Sequence, residues 1–569
     1  MKRITKRKVS GELRSDAVST APRLEAIWLL LESASLSEQN SAALKFAEIA
    51  GISSAHITWL QSPSIEGVRA REILLVLPRS MIVSNAHGWE AVRALLSFPE
   101  VSDAEPVFHT SGLEPEPEVL ALHERNPVAK SGIGGKPLPC AARNCIWHLK
   151  EINATEAWVL LPPPGGQRYG KGIVIGHPDT GYTKHYEIWP EDGLPPRLKP
   201  ELGYNFQEGR PDPVDLMTGR FPGHGTATAS VIMSSQGGPR PMFVTGAAPE
   251  ADVVPFRVND SVIHFSLKNL ILAIYRAVDN AGVHVISMSL GGPVKSKALK
   301  SALDYAIGKG VIVIAAAGNH YPWTVYPAGY ENVIALAATN CARTPWRGST
   351  NGLQVDLSAP GESVWRAHSF LKGKTLSFEV EPSSGSSYAT ALTAGAAATW
   401  LAYWGRNSLI ARYGAGRLQE VFASLLKTHG HTVPAAWDSK NYGVGILEMR
   451  KLLEAPLPPS SKAKRPLPTV SDSSNIAHYF PQVSGARVRS QLVKLLGHQA
   501  IRKSKHRTST TDLEELAFQV ATNPELRSVL YKLMAGPSTK AESLTTVRAK
   551  VADLLEDASP TLIARLAAN

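Results

Sequence analysis

The sequence predicts a three-layer α/β/α protein on a mainly parallel sheet, with a small α/β domain before it and a helical domain after it. Three observations predict this. Between residues 172 and 315, short continuous apolar runs alternate with amphipathic stretches, the pattern of parallel strands covered on both faces by helices. The chain has 569 residues, of which 43% are hydrophobic and 19% charged, enough for two to four packed domains at ~100–200 residues each. Composition shifts divide it: Gly and Pro concentrate at 125–142, and Pro, Ser and Lys at 455–471.

The elements follow in order. Residues 1–20 are basic and polar and read as a disordered tail. Residues 23–60 read as helix from apolar spacing near 3.6, 72–78 as strand, 89–98 as amphipathic helix and 101–108 as strand. These form a small unit at 21–115, with a linker at 116–146. In the large unit, 147–454, the expected strands are 173–175, 253–256, 283–288 and 311–315, with helices at 267–280 and 299–309. A linker at 455–472 leads to 473–569, where runs such as Leu526, Val529, Leu530 and Leu533 recur at helical spacing. No internal repeat is present.

Charge and cysteine narrow the function classes. The net charge of +11 lies at the ends, +4 in residues 1–20 and +7 in 455–569, leaving the middle neutral. The apolar run Ala26-Ile27-Trp28-Leu29-Leu30-Leu31, bracketed by Glu25 and Glu32, is too short for a membrane span of ~20 residues and lacks the uncharged core of an export signal. The expected location is therefore cytoplasmic. Three cysteines exclude a disulfide scaffold; Cys140 and Cys145 are read as free thiols, the alternative being a small loop closed between them.

Three short motifs carry chemistry. Asp179-Thr180-Gly181 follows the strand at 173–175, Gly223-His224-Gly225-Thr226 opens an apolar helix, and Gly385-Ser386-Ser387-Tyr388 opens a helix of small residues. An acid, a base and a hydroxyl thus stand at strand ends and helix starts, where an open parallel sheet places its ligand crevice. Serine becomes a nucleophile when a neutral imidazole takes its proton, and a buried carboxylate orients that imidazole. A fourth motif, Ala315-Ala316-Ala317-Gly318-Asn319, ends an apolar strand with a side-chain amide. Such a donor suits the oxyanion of acyl transfer. Each motif alone is common as a turn or cap; together and in this order they are not. His177, two residues before Asp179, is read as a buried core histidine.

From about residue 147 to 452 the sequence resembles the subtilisin-like serine peptidases. The resemblance rests on the four motifs in the order Asp, His, Asn, Ser and on Gly246-Ala247-Ala248-Pro249, Ile286-Ser287-Met288-Ser289-Leu290-Gly291-Gly292, Tyr326-Pro327-Ala328, Ser358-Ala359-Pro360-Gly361 and Tyr442-Gly443-Val444-Gly445. It implies a subtilisin-like fold, a triad of Asp179, His224 and Ser387, and an oxyanion hole of Asn319 with the Ser387 backbone N–H. It implies substrate strand addition along Ser289, Leu290 and Gly291, with Ala316, Ala317 and Gly318 as the opposite wall. The sequence departs from the family at Ser386, Tyr388 and Ala391, where Thr, Met and Pro are usual.

Residues 42–115 separately resemble the family's propeptide, on Trp89-Glu90-Ala91-Val92-Arg93 through Phe98-Pro99-Glu100-Val101 and on Ala104-Glu105-Pro106-Val107; this implies an inhibitor whose tail, Val107 to about Arg143, would occupy the site until cleaved, the alternative being a permanently attached accessory domain. No cofactor is expected for catalysis. Structural calcium, common in the family, finds no compact acidic loop; Asp212 and Asp215 alone do not make a site, and no metal ligands are assigned. Residues 487–507 carry seven basic side chains without aromatic interleaving, a solvated face rather than a nucleic-acid site. The apolar stripes at 513–533 and 552–566 suggest a dock for a partner protein. The expected activity is a serine endopeptidase acting on protein or peptide substrates; the rival is a partner-binding protein with a vestigial or gated site.

Overall fold

The structure, a computed structural model, describes residues 22–31, 45–48, 57–60, 71–78, 83–109, 140–141, 144–189, 197–237, 242–263, 266–460, 476–496, 508–535, 544–555 and 557–567. The tail at 1–20, most of the linker at 116–146 and most of that at 455–472 lie outside them.

The N-terminal unit is an antiparallel sheet in the order β2-β3-β1-β4. Its strands are β1 (Arg23–Leu31), β2 (Ile57–Leu60), β3 (Arg71–Val76) and β4 (Val101–His109), with helix α1 (Asn85–Leu95) between β3 and β4. The helix expected over 23–60 is corrected here. Residues 23–31 are a strand paired on both sides, to β3 and to β4. A short apolar run has no decisive period, and pairing with two neighbours decides its conformation. Among the described residues, helix survives only at 45–48.

The large unit carries a nine-stranded sheet in the order β14-β15-β11-β10-β9-β8-β5-β7-β6. Its strands are β5 (Val174–Asp179), β6 (Tyr204–Asn205), β7 (Asp252–Arg257), β8 (Val285–Met288), β9 (Ile312–Ala316), β10 (Ile334–Thr339), β11 (Leu357–Pro360), β14 (His431–Thr432) and β15 (Ile446–Leu447). All pairings are parallel except β14 with β15. Successive side chains point to opposite faces, and two cores result. Phe256, Ile286, Val313 and Ala335 face helices α2 (Leu267–Asp279) and α3 (Lys297–Gly308). Val253, Val285, Ile312, Ile314 and Leu336 face α4 (His224–Met233), α5 (Ser386–Trp404) and α6 (Leu418–Thr428). This is the expected three-layer arrangement.

A hairpin of β12 (Val364–Lys372) and β13 (Thr375–Ser383), not read from the sequence, lies beside α4. Its Ala367 N–H donates to Ser230 Oγ at 3.0 Å, and Ser369 Oγ lies 2.6 Å from Thr183 Oγ1.

Cys140 is not a free thiol. It is bonded to Cys341, 201 residues away, with Cα atoms 6.0 Å apart, while Cys145 is free. The free-thiol reading therefore holds for Cys145 and fails for Cys140, and the alternative loop between the two fails as well, because the fold brings Cys341 to Cys140.

The C-terminal unit is helical: α7 (Gly485–Leu496), α8 (Thr508–Thr522), α9 (Pro524–Ala535), α10 (Leu544–Asp553) and α11 (Pro560–Ala567). The stripes expected to dock a partner are filled within the chain: Leu516, Leu526, Leu530 and Leu562 are fully buried. Arg487, Arg489 and Lys494 project to solvent from α7 while Val488, Leu492 and Leu495 are buried, a solvated helix face. The other four basic residues of 487–507 lie outside the described residues. Among the described residues no helix is long and apolar enough to cross a membrane.

Candidate active site

The site forms where β5, α4, β9 and α5 end or begin. Asp179 closes β5, His224 opens α4, and Ser387 stands in the first turn of α5. Two glycines let the first two approach. Gly223 precedes the helix at φ 75, a left-handed conformation. A Cβ on Gly225 would come within 2.1 Å of the Gly181 oxygen, so the helix start rests directly on the Asp179-Thr180-Gly181 turn.

The three side chains form a line. His224 Nδ1 is 2.8 Å from Asp179 Oδ1, and His224 Nε2 is 3.2 Å from Ser387 Oγ. The Thr180 N–H donates to the same Asp179 oxygen at 2.7 Å. Burial pushes the Asp179 carboxyl's pKa up, but the adjacent His224 imidazole and the Thr180 N–H outweigh it and hold it below the ordinary range. The Ser387 hydroxyl has a second acceptor, the Ser289 carbonyl at 3.3 Å.

Asn319 is oriented by its neighbours. Ser386 donates to Asn319 Oδ1 twice, from its N–H and its hydroxyl, each at 2.9 Å. A backbone N–H can only donate, so the oxygen end is identified and the NH2 end faces away from Ser386. A Cβ on Gly385 would lie 3.4 Å from Asn319 Nδ2, which places the amide beside the turn that presents Ser387. The Ser387 N–H belongs to the first turn of α5, whose amides have no intrahelical acceptor.

A cleft beside Ser387 is lined by Ser289, Leu290, Gly291, Ala316, Gly318 and Asn319, among others. Ala317 does not belong to it. Its side chain is buried in a separate cluster with Ala337, Val355 and Tyr442, because successive side chains of an extended chain alternate. Across the cleft, the Gly291 N–H donates to the Val262 carbonyl at 3.0 Å. Strand addition along 289–291 therefore has to replace that bond.

His177 is buried, as expected. Its Nε2 is 3.0 Å from Thr228 Oγ1 and 3.8 Å from Asp179 Oδ2. Burial pushes its pKa down, so the ring is neutral at neutral pH.

The acidic pair weighed for calcium separates. Asp212 accepts from the Tyr182 hydroxyl at 3.4 Å, while Asp215 is buried and its carboxylate takes Thr180 Oγ1–H, Gly223 N–H and Met217 N–H, each at 2.8 Å. Asp215 is thus filled by donors. Among the described residues, His368, Glu379 and Glu381 on the hairpin place ligand-type atoms within 4.8 Å of one another. Glu381 is already paired with Arg366 at 2.8 Å, while burial pushes the His368 pKa down and leaves its ring, 3.0 Å from Glu381, neutral; Arg366 thus already neutralises this carboxylate. Sequence reasoning missed Ser386, Thr180 and Asp215 as supports of the site. The first two lie inside the motifs; Asp215 carries no local signal.

The subtilase family profile, peptidase S8, matches residues 170–409. The chain is 32% identical over 326 residues to an alkaline protease of Alkalihalobacillus alcalophilus, spanning 55% of this chain and 79% of that protein. It is 32% identical over 266 residues to thermitase of Thermoactinomyces vulgaris, spanning 46% and 82%. The solved structure of fervidolysin from Fervidobacterium pennivorans, a keratinolytic enzyme related to subtilisin, has a TM-score of 0.51 at 20% identity, covering 78% of this chain and 62% of that one; this likeness concerns the fold. With two relatives at this identity matched over more than three quarters of their own length, the chain belongs to the subtilase family and is a subtilisin-like serine peptidase.

Proposed function

We propose that the chain is an endopeptidase working through an acyl-enzyme on Ser387. The observation that carries this reading is the unbroken line Asp179, His224, Ser387 at 2.8 and 3.2 Å. Ser387 Oγ attacks the scissile carbonyl carbon as its proton passes to His224 Nε2. The carbonyl oxygen becomes an oxyanion and takes hydrogen bonds from Asn319 Nδ2 and the Ser387 N–H. When the C–N bond breaks, His224 returns the proton to the leaving amine; water then repeats the sequence and frees Ser387. Asp179 stays ionised and stabilises the imidazolium.

Labelling by a fluorophosphonate probe tests the reading, followed by casein cleavage. Wild-type protein is expected to label at Ser387 and the Ser387→Ala variant to do neither. Equal casein cleavage by both would overturn it.

The N-terminal unit acts as an inhibitor held against the enzyme. Three of its carboxylates meet the helices α2 and α3. Glu25 accepts from Ser266, the N-cap of α2; Glu72 accepts from Ser301 Oγ at 2.5 Å; Glu105 accepts from the N–H groups of Lys297 and Ala298 at 2.7 and 2.9 Å. Strand β4 ends at His109, bridged to Ser266, four residues beyond the cleft residue Val262. The chain therefore leaves the N-terminal unit close to the cleft, which supports a tail that reaches it.

A further inference from the structure

We propose that Asp215 is a positioning residue for the reaction, acting through Thr180 to hold Asp179 and His224 in register. The inference rests on the peptidase reading above. Asp215 lies in the segment before α4, is 4% exposed, and has no motif around it.

Its carboxylate gathers donors from both sides of the catalytic pair. Oδ2 accepts from Thr180 Oγ1–H and from the Gly223 N–H, both at 2.8 Å. Thr180 follows Asp179 and Gly223 precedes His224. One oxygen thus ties the two turns that carry the acid and the base. Oδ1 accepts from the Met217 N–H at 2.8 Å and faces Arg257 Nη1 at 3.6 Å.

The proton positions follow from chemistry. A carboxylate only accepts and a backbone N–H only donates. The Thr180 hydroxyl therefore gives its proton to Asp215 and accepts from the Gly225 N–H at 3.1 Å. The Thr180 N–H in turn donates to Asp179 Oδ1, the oxygen that meets His224 Nδ1. A rotation of Thr180 would disturb both the carboxylate and the start of the histidine helix.

Arg257 closes the bracket. It is 1% exposed, ends strand β7 opposite Asp179, and donates to the Thr180 carbonyl at 2.6 Å. Its other nitrogens bond Glu208 at 3.0 and 3.3 Å. The Thr180 peptide is therefore held at its N–H, its carbonyl and its hydroxyl.

Displacements of ~1 Å in such a site cost up to ~100-fold in rate. In the full-length chain, Thr180→Val removes only the relay hydroxyl. It is expected to lower kcat on a peptide p-nitroanilide, and the rate of fluorophosphonate labelling, by about 10-fold or more, with KM within about twofold. Thr180→Ser, which keeps the hydroxyl, is expected to restore most of the rate. Asp215→Asn is expected to lose a similar factor, and the double variant Thr180→Val/Asp215→Asn no more than the worse single, since both break one path. Melting midpoints close to wild type separate these losses from misfolding; if Thr180→Val loses its cooperative melt, Asp215→Asn carries the test. Full activity in a folded variant, or losses that multiply in the double variant, would overturn the proposal. A wild type no more active than Ser387→Ala, also once the N-terminal unit (residues 22–109) has been proteolytically removed, would instead sink the peptidase reading beneath it.

Discussion

In the proposed mechanism Asn319 presents its amide to the nucleophile because Ser386 holds the other end. Both Ser386 donors converge on Asn319 Oδ1, and the Ser386 hydroxyl also lies 3.1 Å from the Gly318 carbonyl. A net hydrogen bond of about 0.5–1.5 kcal/mol corresponds to roughly 2–13-fold in rate. Ser386→Ala keeps the N–H bond, so a kcat loss of about that size is expected, against about 10²–10³ for Asn319→Ala. In the Asn319→Ala background, Ser386→Ala should cost nothing further; an undiminished loss there would mean Ser386 acts elsewhere. At this scale the proposed reacting groups were legible, since Asp179, His224, Asn319 and Ser387 each sit in a short glycine-flanked motif. Their supports were not. Asp215 meets Thr180 across 35 residues, a distance no local pattern encodes.

Helix α3 begins at the junction of three units, and its N-terminus is capped by a foreign carboxylate. Glu105 of β4 accepts from Ser296 Oγ and from the Lys297 and Ala298 N–H groups, where the helix dipole favours negative charge. Burial dominates nonetheless and pushes the Glu105 pKa up to about 7; the Ser296 hydroxyl, Lys297 and the helix amides oppose it. The docked state therefore favours the protonated form. The contribution of Glu105 to docking is full below about pH 4.5, its ordinary value, and falls as pH rises toward 7. Lys297, paired with Asp103 and Glu514 at 2.8 Å each, keeps its charge throughout this window. In a Ser387→Ala background, Glu105→Gln should therefore gain melting temperature relative to its parent between pH 4.5 and 7.5. A difference that is flat or falls with pH would refute this account. Elements of the parallel sheet were legible because each is a continuous apolar run. Strand β1 was not, because an equally apolar run had to be assigned by its partners. The β12–β13 hairpin lies mostly half-exposed and gives little apolar signal.

The whole molecule is held together by its last domain. Arg93 of α1 reaches Asp512 at 3.0 Å, Glu515 at 2.6 Å and Ser559 Oγ at 2.9 Å, all buried. Phe108 of β4 stacks on Phe518 with ring centroids 4.2 Å apart. The same domain grips the catalytic unit: Tyr479 donates to the Pro293 carbonyl at 2.9 Å, His478 Nε2 lies 2.9 Å from the Thr324 carbonyl, and Glu514 pairs with Lys297. The N-terminal unit is thus bound twice, and a second attachment multiplies retention. Cutting the connection after His109 should not by itself free it. In a Ser387→Ala chain with a sequence-specific protease site placed in residues 112–136, the nicked N-terminal piece is expected to co-elute with the rest on gel filtration. Arg93→Met with Phe518→Ala should release it, since unpairing a buried ion costs about 3–5 kcal/mol and the ring pair adds about 1. Release from the unsubstituted nicked chain, or retention in the double variant, would refute the clamp.

The amino-acid sequence by itself determined the chemistry and the layered sheet. The residues proposed as nucleophile, base, acid and oxyanion donor occupy compact motifs, and the strands between them are apolar without interruption, so local patterns suffice. The tertiary structure alone decided the pairing of Cys140 with Cys341, the strand at 23–31, the displacement of Ala317 from the cleft and the burial of the C-terminal stripes, mostly among the C-terminal helices, with Phe518 stacked on Phe108 of the N-terminal unit. Each depends on a contact between residues far apart in the chain, or on which face of an extended segment meets which core. Apolar surface carries no address: the stripes that suggested an outside partner already had one in the same polypeptide.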